Sequence, residues 1–245
     1  MLSGASSEPY TTLAMASMKR ELIDAGLLRL LTPPFARSEN NPGYIQAYPP
    51  GVRENGGQYS HAAVWAMMAQ TATGDAEAAW DSFKALSPAH RSADPVHGPL
   101  YELEPYVMAG DIYGATPYAG RGGWSWYTGS AAWLHRAALE NLLGLKVRPG
   151  EISLSPCLPA HWPFVELTAS IQDKVVHIRW QRAGVPDEPA FRADHVVAQG
   201  QVVALADLPS PCYLLLRAEP RPPGRPDLLR TDGVPVRGTS LDAIK

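Results

Sequence analysis

The sequence predicts a chain that is mainly helical over its first two thirds and β-structured in its last third, and three observations carry that reading. Residues 58–86 hold two Ala-rich helical patterns separated only by Gly74 and Asp75, the mark of an antiparallel helical hairpin. After Gly144 the helical period gives way to short alternating runs with β-branched residues, such as "VELTASIQDKVVHIRWQR". Residues 31–57, rich in Pro, Gly and Asn, have no period at all. A loop of that length inside a compact domain is usually functional.

In chain order, "SEPYTTLAMASMKRELIDAG" predicts a first helix. Ser7 is its candidate N-cap, Leu13, Met15, Met18, Leu22 and Ile23 form its apolar stripe, and Gly26 ends it. After the long loop, a helix is expected from about Gln58 to Thr73, with Asn55 and Ser60 as candidate caps. "DAEAAWDSFKAL" follows as a helix capped by Asp75, and "SPAHRSADPVHGP" as a polar loop. "LYELEPYVMAGDIYG" reads as a third short helix, and the Gly-rich loop "GRGGWSWYTGS" opens a further one. The strands then come in pairs, with Gln172–Asp173 as a candidate hairpin turn. From Pro220 the Pro- and Arg-rich tail has no period, a composition that predicts disorder or loose attachment.

Composition narrows the function. A net charge of −3 gives a nucleic-acid partner no basic surface to use. No apolar run has membrane-spanning length, and the N-terminus lacks a basic region followed by an apolar core. Cys157 and Cys212 have no metal-ligand spacing and make no disulfide framework, so each reads as a small buried hydrophobe. The chain is therefore expected to be cytoplasmic and reduced, with no bound metal. The 7 Trp and 10 Tyr against 4 Phe suit sugar faces and half-buried core positions alike.

Two constellations stand out. "YPPGVRENGGQYSH", Tyr48 to His61, packs Arg53, Glu54, Gln58 and His61 around Gly56–Gly57, far more hydrogen-bonding groups than a helix cap requires. Arg53 and Glu54 offer a donor fork and an acceptor for sugar hydroxyls, and His61 falls in the first turn of a helix, where an anion is favoured. In "GRGGWSWYTGSAAW", Thr128 and Gly129 start a helix and form an anion cradle. No Lys stands where a Walker loop needs one. Trp124 and Trp126 read equally as core residues and as sugar-stacking platforms. In "ELEPYVMAGDIYG" the i, i+2 spacing of Glu102 and Glu104 separates them on a helix, which leaves only Asp111 as an acid candidate.

Taken together and in order, "GYIQAYPPGVRENGGQYSHAAVWAMM", "EPYVMAGDIYG", "GRGGWSWYTGSAAW" and "ISLSPCLPAHWP" resemble the C-terminal part of the inverting β-glucoside phosphorylases. Those are cellobiose and chitobiose phosphorylase and the phosphorylase-like region of cyclic β-1,2-glucan synthase. The opening "LSGASSEP" is most similar to the glucan-synthase version, and the resemblance covers roughly residues 2–180. It implies part of an α/α toroid over residues 1–146 and a small β-sandwich-like domain over 147–219, followed by the tail at 220–245. It implies that inorganic phosphate is the co-substrate, held by His61, Thr128 and Gly129, with no other cofactor. A β-linked glucan or disaccharide would lie against Tyr48 and Arg53, with Glu54, Gln58, Trp124 and Trp126 as further sugar contacts. Gln46 stands where the family commonly has Lys.

The family's general acid sits in a "WNDG"-type motif that these 245 residues do not contain, so the resemblance assigns no catalytic residue here. An Arg–His pair on phosphate is absent in the same way. The expectation is a C-terminal fragment of such an enzyme, nearly inactive alone, since loss of a general acid costs on the order of 10²–10⁴-fold. The two other readings are half of a split enzyme, completed by an upstream polypeptide, and a non-catalytic carbohydrate-binding module. A parent protein associated with the inner membrane stays open.

Overall fold

The structure, a computed structural model, describes residues 2–24, 26–35 and 41–218, so the tail expected to be disordered lies outside the described residues. The chain runs from helices with small two-stranded sheets into two larger sheets.

Helix α1 (Tyr10–Ser17) continues as a π-helical turn over Met18–Leu22. Ser7 does not cap it by its side chain; Pro9 occupies the cap position, and the Ser7 carbonyl accepts the Thr11 N–H instead. Leu13 of the apolar stripe is exposed. Strands β1 (Ile23–Asp24) and β2 (Leu27–Leu28) form a short hairpin. Helices α2 (Ser60–Ala72) and α3 (Ala76–Leu86) form the expected hairpin, turned by Gly74 at φ +78°. Asp75 caps α3 by accepting the Ala78 N–H at 3.2 Å. Helix α6 (Thr128–Ala137) packs on α2, and Val64, Met67, Ala79, Leu86, Leu134 and Ala137 share one core cluster. Across the hairpin, Ser82 donates to the buried Gln70 side chain at 2.7 Å. Removing the cap in Asp75→Ala is expected to lower stability by about 1 kcal/mol in urea unfolding. No change would mean that the hairpin is set by packing alone.

Two expectations require correction. The polar loop after α3 contains helix α4 (Pro88–Ala93), capped by Ser87 with Pro88 in its first turn. The sequence carried that cap-and-Pro signature, which polarity obscured. The predicted third helix is reduced to α5 (Gly98–Tyr101), ended by Glu102 at φ +52°. Residues 107–113 form no helix because their backbone bonds elsewhere. The Gly110 carbonyl accepts the Ser60 N–H, the Met108 carbonyl accepts the Tyr127 N–H, and β4 (Asp111–Ile112) pairs with β3 (Gln58–Tyr59). Tertiary pairing outweighs the local helical period here.

The C-terminal third holds a three-stranded antiparallel sheet, ordered β10 (Val202–Ala204), β6 (Glu151–Leu154), β5 (Leu145–Arg148). Beside it lies a four-stranded mixed sheet, ordered β7 (Phe164–Ile171), β8 (Lys174–Arg182), β11 (Cys212–Ala218), β9 (His195–Val197). The β7–β8 hairpin turns at Gln172, φ +54°, where the sequence placed it. Ile152 and Leu154 of one sheet and Val176, Ile178, Trp180, Leu214 and Leu216 of the other enter a single core cluster. Cys157 and Cys212 are buried. Helices and sheets are joined where the Trp80 ring meets Trp162 at 4.7 Å and Glu77 accepts the Ala160 N–H. No helix among the described residues is long and apolar enough to cross a membrane.

Candidate functional site

The site is built on residues 48–61. Asn55, fully buried, fixes the loop with one side chain. Its Oδ1 accepts the Phe35 N–H at 2.6 Å, and its Nδ2 donates to the carbonyls of Tyr48 at 2.8 Å and Phe35 at 3.3 Å. Neither Asn55 nor Ser60 caps α2: Tyr59 holds the cap position, and the Ser60 hydroxyl donates to the Ala109 carbonyl at 2.6 Å. The loop folds back so tightly that a Cβ on Gly57 would lie 2.9 Å from both Arg53 N and the Gly51 carbonyl oxygen. Only Gly fits such an approach.

Arg53 takes the left-handed conformation at φ +49°, and its N–H donates to Asp111 Oδ2 at 2.8 Å. Its guanidinium lies 4.9 Å from the Trp124 ring and 5.6 Å from the Tyr48 ring, within cation–π range. Next to it, Glu54 Oε2 is buried with no hydrogen-bond partner among the described residues. Burial raises the Asp111 carboxyl above its ordinary value, and the Arg53 N–H opposes that rise. Aromatic faces, a cation and an unpartnered acceptor together match what a sugar presents: apolar ring faces and hydroxyl groups.

The second part joins the starts of α2 and α6. His61, in the first turn of α2, lies so close to the start of α6 that a Cβ on Gly129 would sit 3.0 Å from its Nε2. The Tyr127 ring meets His61 edge-on at 5.1 Å, and His61 Nδ1 is buried without a partner among the described residues. The start of α6 has no side-chain cap, while Thr128 and Gly129 are exposed. The first N–H groups of a helix lack intrahelical acceptors, so this end favours an anion. Tyr59 and Tyr127 share a hydrogen bond at 3.0 Å. That bond, with burial, pushes the Tyr59 phenol up to about 12 and keeps it neutral.

Of the residues expected at the site, the structure gathers Tyr48, Arg53, Glu54 and Trp124 in one group. His61, Thr128 and Gly129 form the other. Gln58 does not belong to either. It is fully buried, its Oε1 accepts the Leu28 N–H at 2.8 Å, and its Nε2 faces the Ala85 carbonyl at 3.4 Å, so it braces the fold. Trp126 is separated from Trp124. It packs on Tyr106 at 6.4 Å, donates to Glu104 at 3.3 Å, and lines, with Tyr127 and Thr128, a cavity of about 470 Å³ beside α6. Sequence reasoning did not find the Tyr59–Tyr127 pair or the role of Asp111. Their only signal was position: each Tyr sits within two residues of His61 or Thr128, and Asp111 lies on the strand that pairs with β3.

Comparison with known proteins identifies a family. The family model described as glycosyl hydrolase 94 superfamily, catalytic domain, matches residues 1–144. The cyclic beta-(1,2)-glucan synthase NdvB of Rhizobium meliloti (strain 1021) is 42% identical over 200 residues, 81% of this chain and 7% of that protein. The N,N'-diacetylchitobiose phosphorylase of Vibrio proteolyticus is 29% identical over 180 residues, 73% of this chain and 22% of the relative. The solabiose phosphorylase of Paenibacillus borealis is 29% identical over 133 residues, 54% of this chain and 17% of the relative. The chain thus spans a quarter or less of the length of these relatives.

Proposed function

Because the chain belongs to the glycosyl hydrolase 94 superfamily, we propose that it forms the phosphate and acceptor-sugar side of a catalytic domain that phosphorolyses or builds β-linked glucosides. The observation that carries the reading is the approach of the His61 imidazole to Gly129 at the exposed, uncapped start of α6. Inorganic phosphate would sit there, held by His61, by Thr128 and by the α6 N–H groups. A phosphate oxygen attacks the anomeric carbon from the face opposite the glycosidic bond. That bond breaks, and the leaving oxygen takes a proton from a carboxylic acid supplied from outside these 245 residues. The acceptor sugar lies over Arg53, Tyr48 and Trp124, with Glu54 accepting from its hydroxyl groups.

On this reading the α2–α3 hairpin and α6 belong to an α/α toroid spanning residues 1–146. The two larger sheets form a sandwich-like unit that begins with β5 at Leu145, two residues before the expected boundary at 147. A further polypeptide segment, in the same chain or another, would complete the ring. Support comes from the apolar cavity along α6, lined by Tyr106, Val107, Met108, Ala131 and Leu134, and from the exposed Leu13 of α1.

Titration calorimetry with inorganic phosphate tests the proposal. His61→Ala is expected to weaken binding on the order of tenfold or more, the worth of one charge-assisted hydrogen bond, and Thr128→Ala somewhat less. A chain that binds sophorose but ignores phosphate would instead be a carbohydrate-binding module.

A further inference from the structure

We propose that Asp111 is a positioning residue: by accepting the Arg53 N–H it holds Arg53 in its left-handed conformation and keeps the guanidinium over Trp124 and Tyr48. The claim that this wall meets a sugar rests on the function proposed above; the claim that Asp111 sets the loop does not.

Asp111 is buried at 3% exposure on β4, and the pairing Tyr59↔Asp111 fixes its position across from β3. One carboxylate oxygen takes the Arg53 N–H at 2.8 Å, across 58 residues of sequence. The other occupies the space beside Gly123, where a Cβ would overlap it, and the Gly123 N–H donates to the Asp111 carbonyl at 3.0 Å. Asp111 thus ties residues 51–57 to the Gly-rich loop that carries Trp124. The Arg53 guanidinium rests on that same Trp124 ring. A non-Gly residue at positive φ persists only when its surroundings over-determine it. Here the determinants are the Asp111 bond on the N–H and the return of the Arg53 carbonyl to the Gly57 N–H at 3.1 Å. A carboxylate makes this the stronger, charge-assisted kind of bond, and it does so against the cost of burial and of the neighbouring Glu54.

The test uses the full chain with Asp111→Ala, Asp111→Asn and Gly123→Ala, read by amide hydrogen exchange at Arg53 and by calorimetry with sophorose and with inorganic phosphate. In Asp111→Ala the Arg53 amide is expected to exchange at least roughly tenfold faster, with sophorose weakened to a similar degree. Phosphate affinity is expected to stay within about twofold, because His61 and the start of α6 make no hydrogen bond to Asp111. Asp111→Asn, which keeps an acceptor oxygen, restores most of both effects. Gly123→Ala reproduces the alanine variant by displacing the carboxylate from the opposite loop. The proposal is overturned if the Arg53 amide stays as protected in Asp111→Ala as in the parent chain. It is equally overturned if phosphate and sophorose binding fall together. Should the parent chain bind neither ligand, the proposed function fails, and the exchange rates alone still decide whether Asp111 holds Arg53.

Discussion

Asn55→Ala is expected to destabilise the chain by about 3–5 kcal/mol and to abolish sugar binding. The substitution removes three hydrogen bonds from a fully buried position and strands one N–H donor and two carbonyls around it. Each buried group left unsatisfied costs about 1–3 kcal/mol, and the terms do not add in full because the loop relaxes. Asn55→Asp separates hydrogen bonding from size. It retains an acceptor for the Phe35 N–H but turns a carboxylate oxygen toward the carbonyls of Tyr48 and Phe35, so it should be no better than Ala. Urea unfolding followed by Trp fluorescence measures both. A loss below 1 kcal/mol for both variants would mean that the Gly-rich backbone holds the loop unaided.

Trp180→Ala should cost about 3–5 kcal/mol, because it empties the largest side-chain volume in the β-structured core. Trp180→Phe, which leaves a smaller cavity, should cost clearly less than Trp180→Ala. The indole N–H has no hydrogen-bond partner among the described residues, so Phe removes volume and an unsatisfied donor together. Trp180 and His61 belong to separate parts of the fold, and phosphate affinity should survive either change. If Phe were as damaging as Ala, the indole N–H would have to be bonded, for example to a buried water molecule.

Much of the fold was legible where structure is local. Gly74–Asp75 announced the α2–α3 hairpin through a turn residue and a cap, and Gln172–Asp173 announced the β7–β8 hairpin. Reading failed where distant backbone decides. Residues 107–113 carry a helical-looking composition, but their carbonyls and amides are claimed by Ser60, Tyr127 and the Gly-rich loop. Gln58 looked like a ligand contact because it lies among polar residues, while its partners, Leu28 and Ala85, lie about thirty residues away on either side. The site shows the same division. His61, Thr128 and Gly129 each had a helix start to mark them. Asp111 and the Tyr59–Tyr127 pair have partners 58 and 68 residues distant, and no spacing rule reaches that far. Trp124 and Trp126 alternate in sequence, and Trp126 at φ +61° turns to the Tyr106 side.

The central claim is that phosphate binds at the exposed start of α6, beside His61. Amide and imidazole chemical-shift mapping during titration with inorganic phosphate tests it most directly. The account predicts saturable shifts that are largest at the Thr128 and Gly129 amides and the His61 ring, all lost in His61→Ala. Shifts scattered over exposed cations such as Arg136 and Arg148, with Thr128, Gly129 and His61 unmoved, would contradict it.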